Sequence, residues 1–275
     1  MSTKTKSTGL RVAIGGLGTV GAAVAQRLDE GIEGLTLSAV SARDRARAEE
    51  RVRKFRHPVP VLPLAELADV ADVVVECAPA AVFAEVAEPA VRGGRILMPI
   101  SVGALLSHWR LVSLAAQCGA RIIVPSGALL GLDAVKAAAE GQIHSVHMVT
   151  RKPPRSLAGS PYIAQRGIDL EQIDRPLKVF EGTAREGAKG FPANVNVAAA
   201  LGLAGIGVDE THLEVWADPT VNRNTHRITV EADSVRFELK IENVPTEHNP
   251  RTGKLVALSV ITTLKRLVAP LVVGS

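Results

Sequence analysis

"AIGGLGTVGAAVAQRL", residues 13–28, places Gly16, Gly18 and Gly21 directly after a short apolar run and at the head of an unbroken helical pattern. Each glycine of a G-x-G-x-x-G turn has a separate physical reason. Gly16 permits the tight turn, Gly18 lets a pyrophosphate approach the backbone, and Gly21 allows close packing of helix on strand. Thr19 and Val20 open the helix, where free N–H groups and the positive end of the helix dipole favour an anion. Glycines that merely tighten a turn would show the same spacing. Here the motif follows a strand, opens a helix and occupies the first βα turn of a longer α/β pattern, which points to a dinucleotide.

From that turn outward to about residue 125, short apolar runs alternate with helical stretches. The runs are "LRVAI", "LTLSAV", "DVVVECA", "RILMPI" and "RIIVP", and the helical stretches cover 19–30, 43–54, 81–92 and 104–118. Strands that are apolar throughout and rich in Val and Ile fit a parallel sheet covered on both faces. After "SGALLGLDAVKAAAEG" (126–141) the strands instead alternate polar with apolar. In "VRFELKIE" (235–242), Val235, Phe237, Leu239 and Ile241 share one face and four charged residues share the other. Such strands belong to a sheet buried on one side. "HRITVEA" (226–232) precedes this run across a short "DS" turn, a predicted hairpin; "IHSVHMVT", "LKVFEG" and "LEVWAD" are further strand candidates.

The expected fold class is therefore α/β: a Rossmann-type doubly wound parallel sheet plus a second α+β domain with a mainly antiparallel sheet. The predicted division is a disordered N-terminus over 1–9, a dinucleotide-binding domain over 10–125, an α+β catalytic and dimerisation domain over 126–250, and a C-terminal helix within 251–275 packing back on the first domain. The half-exposed second sheet offers a face that a twin copy can cover, so a homodimer is expected.

Bulk properties narrow the function classes. The net charge of +4 arises from 32 basic residues scattered among 28 acidic ones, and aromatic residues make up 3% of the chain. A nucleic-acid binder needs a basic stripe or stacking residues, so none is expected as a partner. A modest positive field suits an anionic small molecule or a phosphate-bearing cofactor. Cys77 and Cys118 match no zinc spacing and specify no disulfide framework, which fits a reducing compartment, and no metal is expected. The polar, lysine-bearing start and the lack of any apolar run of about 18 residues lead to the expectation of a soluble cytoplasmic protein without membrane association.

The end of the second strand bears on the choice between NAD and NADP. An NAD-specific site places Asp or Glu there to accept the ribose hydroxyls, yet "AVSARD" offers Ser41 and Arg43, with Asp44 a step later. An arginine and a hydroxyl can receive a 2′-phosphate, so NADP acceptance is expected alongside NAD; alternatively Arg43 only opens a solvated helix. In "ECAPA" (76–80) Cys77, Ala78 and Pro79 border the crevice at the strands' carboxyl ends. No His or Lys sits beside Cys77 to lower its pKa, so the thiol reads as inert.

Two segments of the second domain are too polar for core packing. "GFPANVNVAAALGLAGIG" (190–207) brings Asn194 and Asn196 to the start of a small-residue helix, where either can cap it. "WADPTVNRNTHRITV" (216–230) gathers Asp218, Asn222, Arg223, Asn224 and His226 in a loop feeding a strand. Capping and turn chemistry alone can account for the asparagines.

"GGLGTVG", "SGALLGLDAVKAA", "TRKPP", "FPANVNVAAALGLAGIG", "ADPTVNRNTHRI" and "ENVPTEHNPRTGKLVALS" together resemble the L-aspartate dehydrogenase family over about residues 10–270. The second-domain segments make the resemblance specific, since Rossmann proteins at large do not share them. It implies reversible NAD(P)-dependent oxidative deamination of L-aspartate to iminosuccinate, which hydrolyses to oxaloacetate and ammonia; in some organisms iminosuccinate feeds NAD biosynthesis instead. It also implies that the histidine of the "RN-x-H" segment, His226, is catalytic, and that nicotinamide-side contacts fall at Ala128 and Asn196.

The chemistry accords with that implication. Hydride leaves Cα of aspartate only when the amine is unprotonated, and water must then attack the imine; both steps need a group that exchanges protons near neutrality, the property of histidine. A structural, hydrogen-bonded histidine is the alternative for His226. His144 and His147, three apart on one strand, point to opposite faces and do not share a metal. His57, His108, His212 and His248 lie in loops, turns or a helix away from the strand ends. The substrate's two carboxylates call for cationic or amide donors, and Arg151, Lys152, Arg223 and Asn194 are the candidates. Two other readings stay open: another two-domain reductase, dihydrodipicolinate-reductase-like or homoserine-dehydrogenase-like, and a non-catalytic NAD(P)-binding sensor.

Overall fold

In the computed structural model, residues 9–192, 195–247, 249 and 252–274 are described. The expected frayed start before Gly9, Asn194, His248 and Pro250 lie outside the described residues. The chain divides into two compact units. The first takes the residues up to Ile100, His108–Pro125 and Ala257–Val272; the second takes Ser101–Ser107, Ser126–Val256 and the residues after Val272.

The first unit is built from β1 (Leu10–Gly15), α1 (Thr19–Asp29), β2 (Leu35–Ser41), α2 (Arg45–Val52), β3 (Val73–Glu76), α3 (Phe83–Arg92), β4 (Ile96–Pro99), α5 (Arg110–Cys118) and β5 (Arg121–Ile122). Its five strands are parallel in the order β2-β1-β3-β4-β5. The apolar runs explain the sheet: Val12, Ile14, Val73, Val74, Val75, Leu97 and Met98 are all fully buried, as strands covered on both faces must be. The strand order reverses between β1 and β3. Ligands of open α/β sheets bind at the carboxyl end of such a switch point, where the glycine turn lies.

The stretch 104–118, expected as one helix of the first domain, is two. α4 (Val102–Ser107) belongs to the second unit and α5 to the first, with the break at His108–Trp109. Periodicity continues across the break, so it misses it. What separates the two is packing: Gly103 of α4 donates its N–H to Asn196 Oδ1 at 3.0 Å, and a Cβ at this position would come within 3.5 Å of the Ala188 methyl.

The second unit adds α6 (Leu132–Ala138), β6 (Ile143–Lys152), α7 (Pro161–Arg166), β7 (Leu177–Thr183), α8 (Ala184–Gly190), α9 (Asn196–Ala204), β8 (Thr211–Ala217), β9 (Thr225–Ala232) and β10 (Arg236–Glu242). Its sheet runs β10-β9-β6-β8-β7; β6 and β8 are parallel and the other pairs antiparallel. β9 and β10 form the expected hairpin across Asp233–Ser234, closed by Ala232 N–H to Val235 O at 2.9 Å. Alternation is strict on β8, where Thr211, Leu213, Val215 and Ala217 are buried and His212, Glu214 and Trp216 are not. The other face carries cross-strand ion pairs such as Arg227–Glu238 (3.3 Å) and Arg236–Glu231 (2.9 Å).

The last helix, α10 (Lys254–Arg266), starts in the second unit and continues in the first. Val260 and Leu264 are fully buried in the first unit's core with Val12, Val24 and Val40. Among the described residues no helix is long and apolar enough to cross a membrane.

Candidate active site

In the first unit the glycine turn has the geometry a dinucleotide needs. Gly16 has φ +108°, and a Cβ there would lie 2.6 Å from the Cys77 carbonyl oxygen, so no L side chain fits. A Cβ on Gly21 would run into the Gly16 carbonyl oxygen and touch Ile14, which keeps α1 tight on β1. A Cβ on Gly18 would meet nothing within 4 Å, so this side of the turn is open to an approaching group. Gly18 also offers no side chain to cap α1, leaving the first-turn N–H groups at Thr19 and Val20 for an external acceptor. An open glycine beside uncapped amides fits a pyrophosphate and would fit no bulky apolar group.

Ser41 ends β2 with its side chain buried, and its carbonyl accepts the Gly16 N–H at 2.9 Å. Asp44 is occupied as the cap of α2, its Oδ1 accepting the Arg47 N–H at 3.0 Å. Arg43 beside it is exposed and makes no hydrogen bond or ion pair among the described residues. At the end of β3, Cys77 donates its N–H to Gly15 O at 2.8 Å. Burial of its sulfur and the charge of Glu76 push the thiol well above its ordinary range, although the residue as a whole is partly accessible. The inert reading of this cysteine has a physical cause in that shift. Glu76 was not anticipated; it is fully buried, and its Oε1 accepts the Ala78 N–H at 2.9 Å, shaping the turn that carries Ala78 and Pro79.

In the second unit, polar groups gather on the inner face of the sheet. His226, the second residue of β9, is 2% exposed and pairs in register with Thr150 of β6. His226 Nδ1 and Thr150 Oγ1 are 3.1 Å apart. Lys152, two residues along the same face of β6, is 3% exposed; its carbonyl accepts the Asp218 N–H at 2.8 Å, while its ammonium makes no hydrogen bond or ion pair among the described residues. Burial lowers the lysine to about 8. Burial, and secondarily the Lys152 charge, lowers His226 to about 3, so the imidazole is neutral at physiological pH.

The other predicted anchors are placed differently. Arg151 faces the opposite side of β6, where Nη1 donates to Asp218 Oδ2 at 3.0 Å and the guanidinium lies 4.7 Å from the Trp216 ring centre. Asp218 is buried, which pushes its carboxyl up; hydrogen bonds from the Thr220 hydroxyl and N–H and from Arg151 outweigh this and hold it below its usual value. Arg223 donates to Asn222 Oδ1 at 3.0 Å. Arg151 and Arg223 are thus held by Asp218 and Asn222, whereas Lys152 acts on His226 through its charge. Asn196 does not cap α9, whose first turn follows Val195 without a side-chain cap. Its side chain is held instead by the Gly103 N–H. The Ala128 carbonyl accepts from Asn243 Nδ2 at 3.3 Å.

Thr150 and Asn243 were missed by sequence reading. The signal for Thr150 was the two-residue period, which puts it on one face with Lys152 in "TRKPP"; Asn243, a buried amide just after β10, gave none. Of the remaining histidines, His147 and His212 come together across β6 and β8, a pairing invisible on either strand alone.

The comparisons with known proteins agree along the whole chain. Residues 133–267 match the family model for the aspartate dehydrogenase C-terminal domain, and residues 16–125 match that for the homoserine dehydrogenase NAD-binding domain. An L-aspartate dehydrogenase of Bradyrhizobium diazoefficiens is 56% identical over all of this chain and 98% of its own, and L-aspartate dehydrogenase 3 of Bordetella bronchiseptica is 51% identical over 97% of this chain and 98% of its own. The crystal structure of aspartate dehydrogenase from Thermotoga maritima superposes with a TM-score of 0.71 at 26% identity, covering 96% of this chain and 99% of that one. With its glycine turn, its two sheets and relatives of this identity over their full length, the chain belongs to the aspartate dehydrogenase family.

Proposed function

We propose that the chain is an NAD(P)-dependent L-aspartate dehydrogenase in which His226 is the proton-exchanging group and Lys152 the carboxylate anchor. The observation that carries this reading is a buried neutral imidazole, hydrogen-bonded to Thr150, near a buried ammonium that has no partner among the described residues. A buried cation is costly unless paired, and structures keep one unpaired where a ligand will pair it. A substrate carboxylate beside Lys152 would supply that partner. It would also cancel the charge that helps hold His226 down, so the imidazole would rise toward the range where it exchanges protons at neutral pH.

With Nδ1–H donating to Thr150 Oγ1, Nε2 keeps its lone pair and takes the proton from the substrate ammonium. A nicotinamide bound in the first unit's glycine turn would accept the hydride from Cα. Once that proton has passed to solvent, the same Nε2 takes a proton from the water that adds to the imine carbon and returns it to the departing nitrogen, so that the C–N bond breaks and oxaloacetate and ammonia result. Gly16, Gly18 and Gly21, with the Thr19 and Val20 amides, hold the pyrophosphate; Ser41 and the unengaged Arg43 make the adenosine end permissive for NADP as well as NAD. Cys77, Ala78 and Pro79 border it, and Ala128 and Asn196 serve the nicotinamide side. Among the proposed anchors Lys152 takes the role rather than Arg151, because Arg151 is already paired with Asp218 on the other face.

The test is absorbance of the reduced nicotinamide, with aspartate in one direction and oxaloacetate plus ammonium in the other. His226→Asn is expected to lower kcat about 100-fold or more with cofactor binding retained. A variant keeping more than a tenth of wild-type turnover would remove His226 from this role. Cofactor binding without turnover in either direction would leave a sensor.

A further inference from the structure

We infer that the outer face of the second unit's sheet carries a binding site for one divalent transition-metal ion of the zinc class, formed by His147 on β6 and His212 and Glu214 on β8. The parallel register sets His147 directly beside His212, with ring centres 4.8 Å apart. Glu214, two residues further along β8, returns to the same face. One ligating atom from each of the three lies within 4.8 Å of the other two. Zinc binds imidazole nitrogen and carboxylate oxygen at about 2.0–2.2 Å, so tetrahedral donors stand roughly 3.4 Å apart. His147 Nε2 and Glu214 Oε1 already stand at 3.3 Å. Closing the remaining separations takes small rotations of partly exposed side chains.

Hydrogen bonding accounts for only part of the arrangement: His212 pairs with Glu181 of β7, whereas His147 Nε2 is unsatisfied among the described residues. His147 Nε2 is buried and makes no hydrogen bond, although a carboxylate oxygen is 3.3 Å away, because the two are not aligned for one. Both neighbouring carboxylates are also held by their far oxygens. Trp216 Nε1 donates to Glu214 Oε2 at 2.7 Å, leaving Oε1 toward His147. Lys178 holds Oε2 of Glu181 on β7, leaving Oε1 at 3.3 Å from His212 Nε2. Donors that fix one oxygen and present the other are how outer groups orient metal ligands. Two imidazoles with carboxylate suit zinc, cobalt or nickel rather than calcium or magnesium. The fourth position falls to water or to Glu181. The ion would tie β6 to β8 on the face opposite His226, a structural cross-link.

Untagged, chelator-stripped full-length protein titrated with Co2+ alone is expected to develop visible ligand-field absorbance saturating at one ion per chain. Zn2+ alone should compete it away and raise the thermal midpoint. His212→Gln and His147→Gln are each expected to weaken uptake at least tenfold and to abolish the thermal shift, and Glu214→Gln to weaken it several-fold. His212 and Glu214 are accessible enough that their variants carry the test if His147→Gln does not fold. No saturable uptake, or uptake unchanged in His212→Gln, would overturn the site.

Discussion

Lys152 is a buried cation whose cost in stability the proposed anchoring role would explain. Its drop from 10.5 to about 8 means that the unfolded chain holds one more proton between those pH values, so the group makes stability rise with pH across that window. Lys152→Met keeps the stem and removes the charge. Denaturant unfolding at pH 7 is expected to show a gain on the order of 1–3 kcal/mol and no such rise from this group above pH 8. The KM for aspartate should climb about 100-fold while cofactor affinity holds. At the other end of the chemistry, Arg43 is exposed and has no side-chain partner among the described residues. Arg43→Ala should raise the KM for NADP about tenfold and shift that for NAD less than twofold, measured with the two cofactors side by side. A strong NAD preference in the parent that survives unchanged would show that Arg43 only opens α2.

At the scale of elements, the turn between β1 and α1 is the most constrained piece of backbone. Gly16→Ala forces a methyl both into positive φ and against Cys77 O. It should cost about 2 kcal/mol or more in thermal or chemical unfolding and should abolish cofactor quenching of intrinsic fluorescence. This turn was legible in the sequence because the glycine spacing falls between an apolar strand and a helical pattern. The β1 and β3 strands were legible for a similar reason, being apolar runs with nowhere to go but a doubly covered sheet. The division of 104–118 into α4 and α5 was not, since apolar periodicity continues through His108 and only packing of Gly103 against Asn196 and Ala188 separates them. Lys152 and Arg151 illustrate the same limit at the site. They are adjacent cations in "TRKPP", and choosing between them required knowing which face of β6 is inward. The neutrality of His226 was equally hidden, because it depends on burial and on a lysine 74 positions away in the chain.

For the molecule as a whole, we propose that two copies associate through the β9–β10 end of the outer sheet face, where mixed-sign ion pairs such as Arg227–Glu238 and Arg236–Glu231 make a polar surface. Light scattering is expected to give twice the chain mass, and reversing charge on that face with Arg227→Glu to shift the equilibrium toward monomer; a monomeric parent would end this reading. The path of the chain has a different consequence. It passes between the two compact units five times, after Ile100, Ser107, Pro125, Val256 and Val272. No single cut therefore releases either one. During synthesis, the β1 to β5 sheet leaves the ribosome early yet lacks Val260 and Leu264, two fully buried members of its core. The nucleotide-binding unit must wait, incompletely packed, until α10 is made, so a chain that stops short of Val260 would lack part of the core behind a turn translated more than two hundred residues earlier.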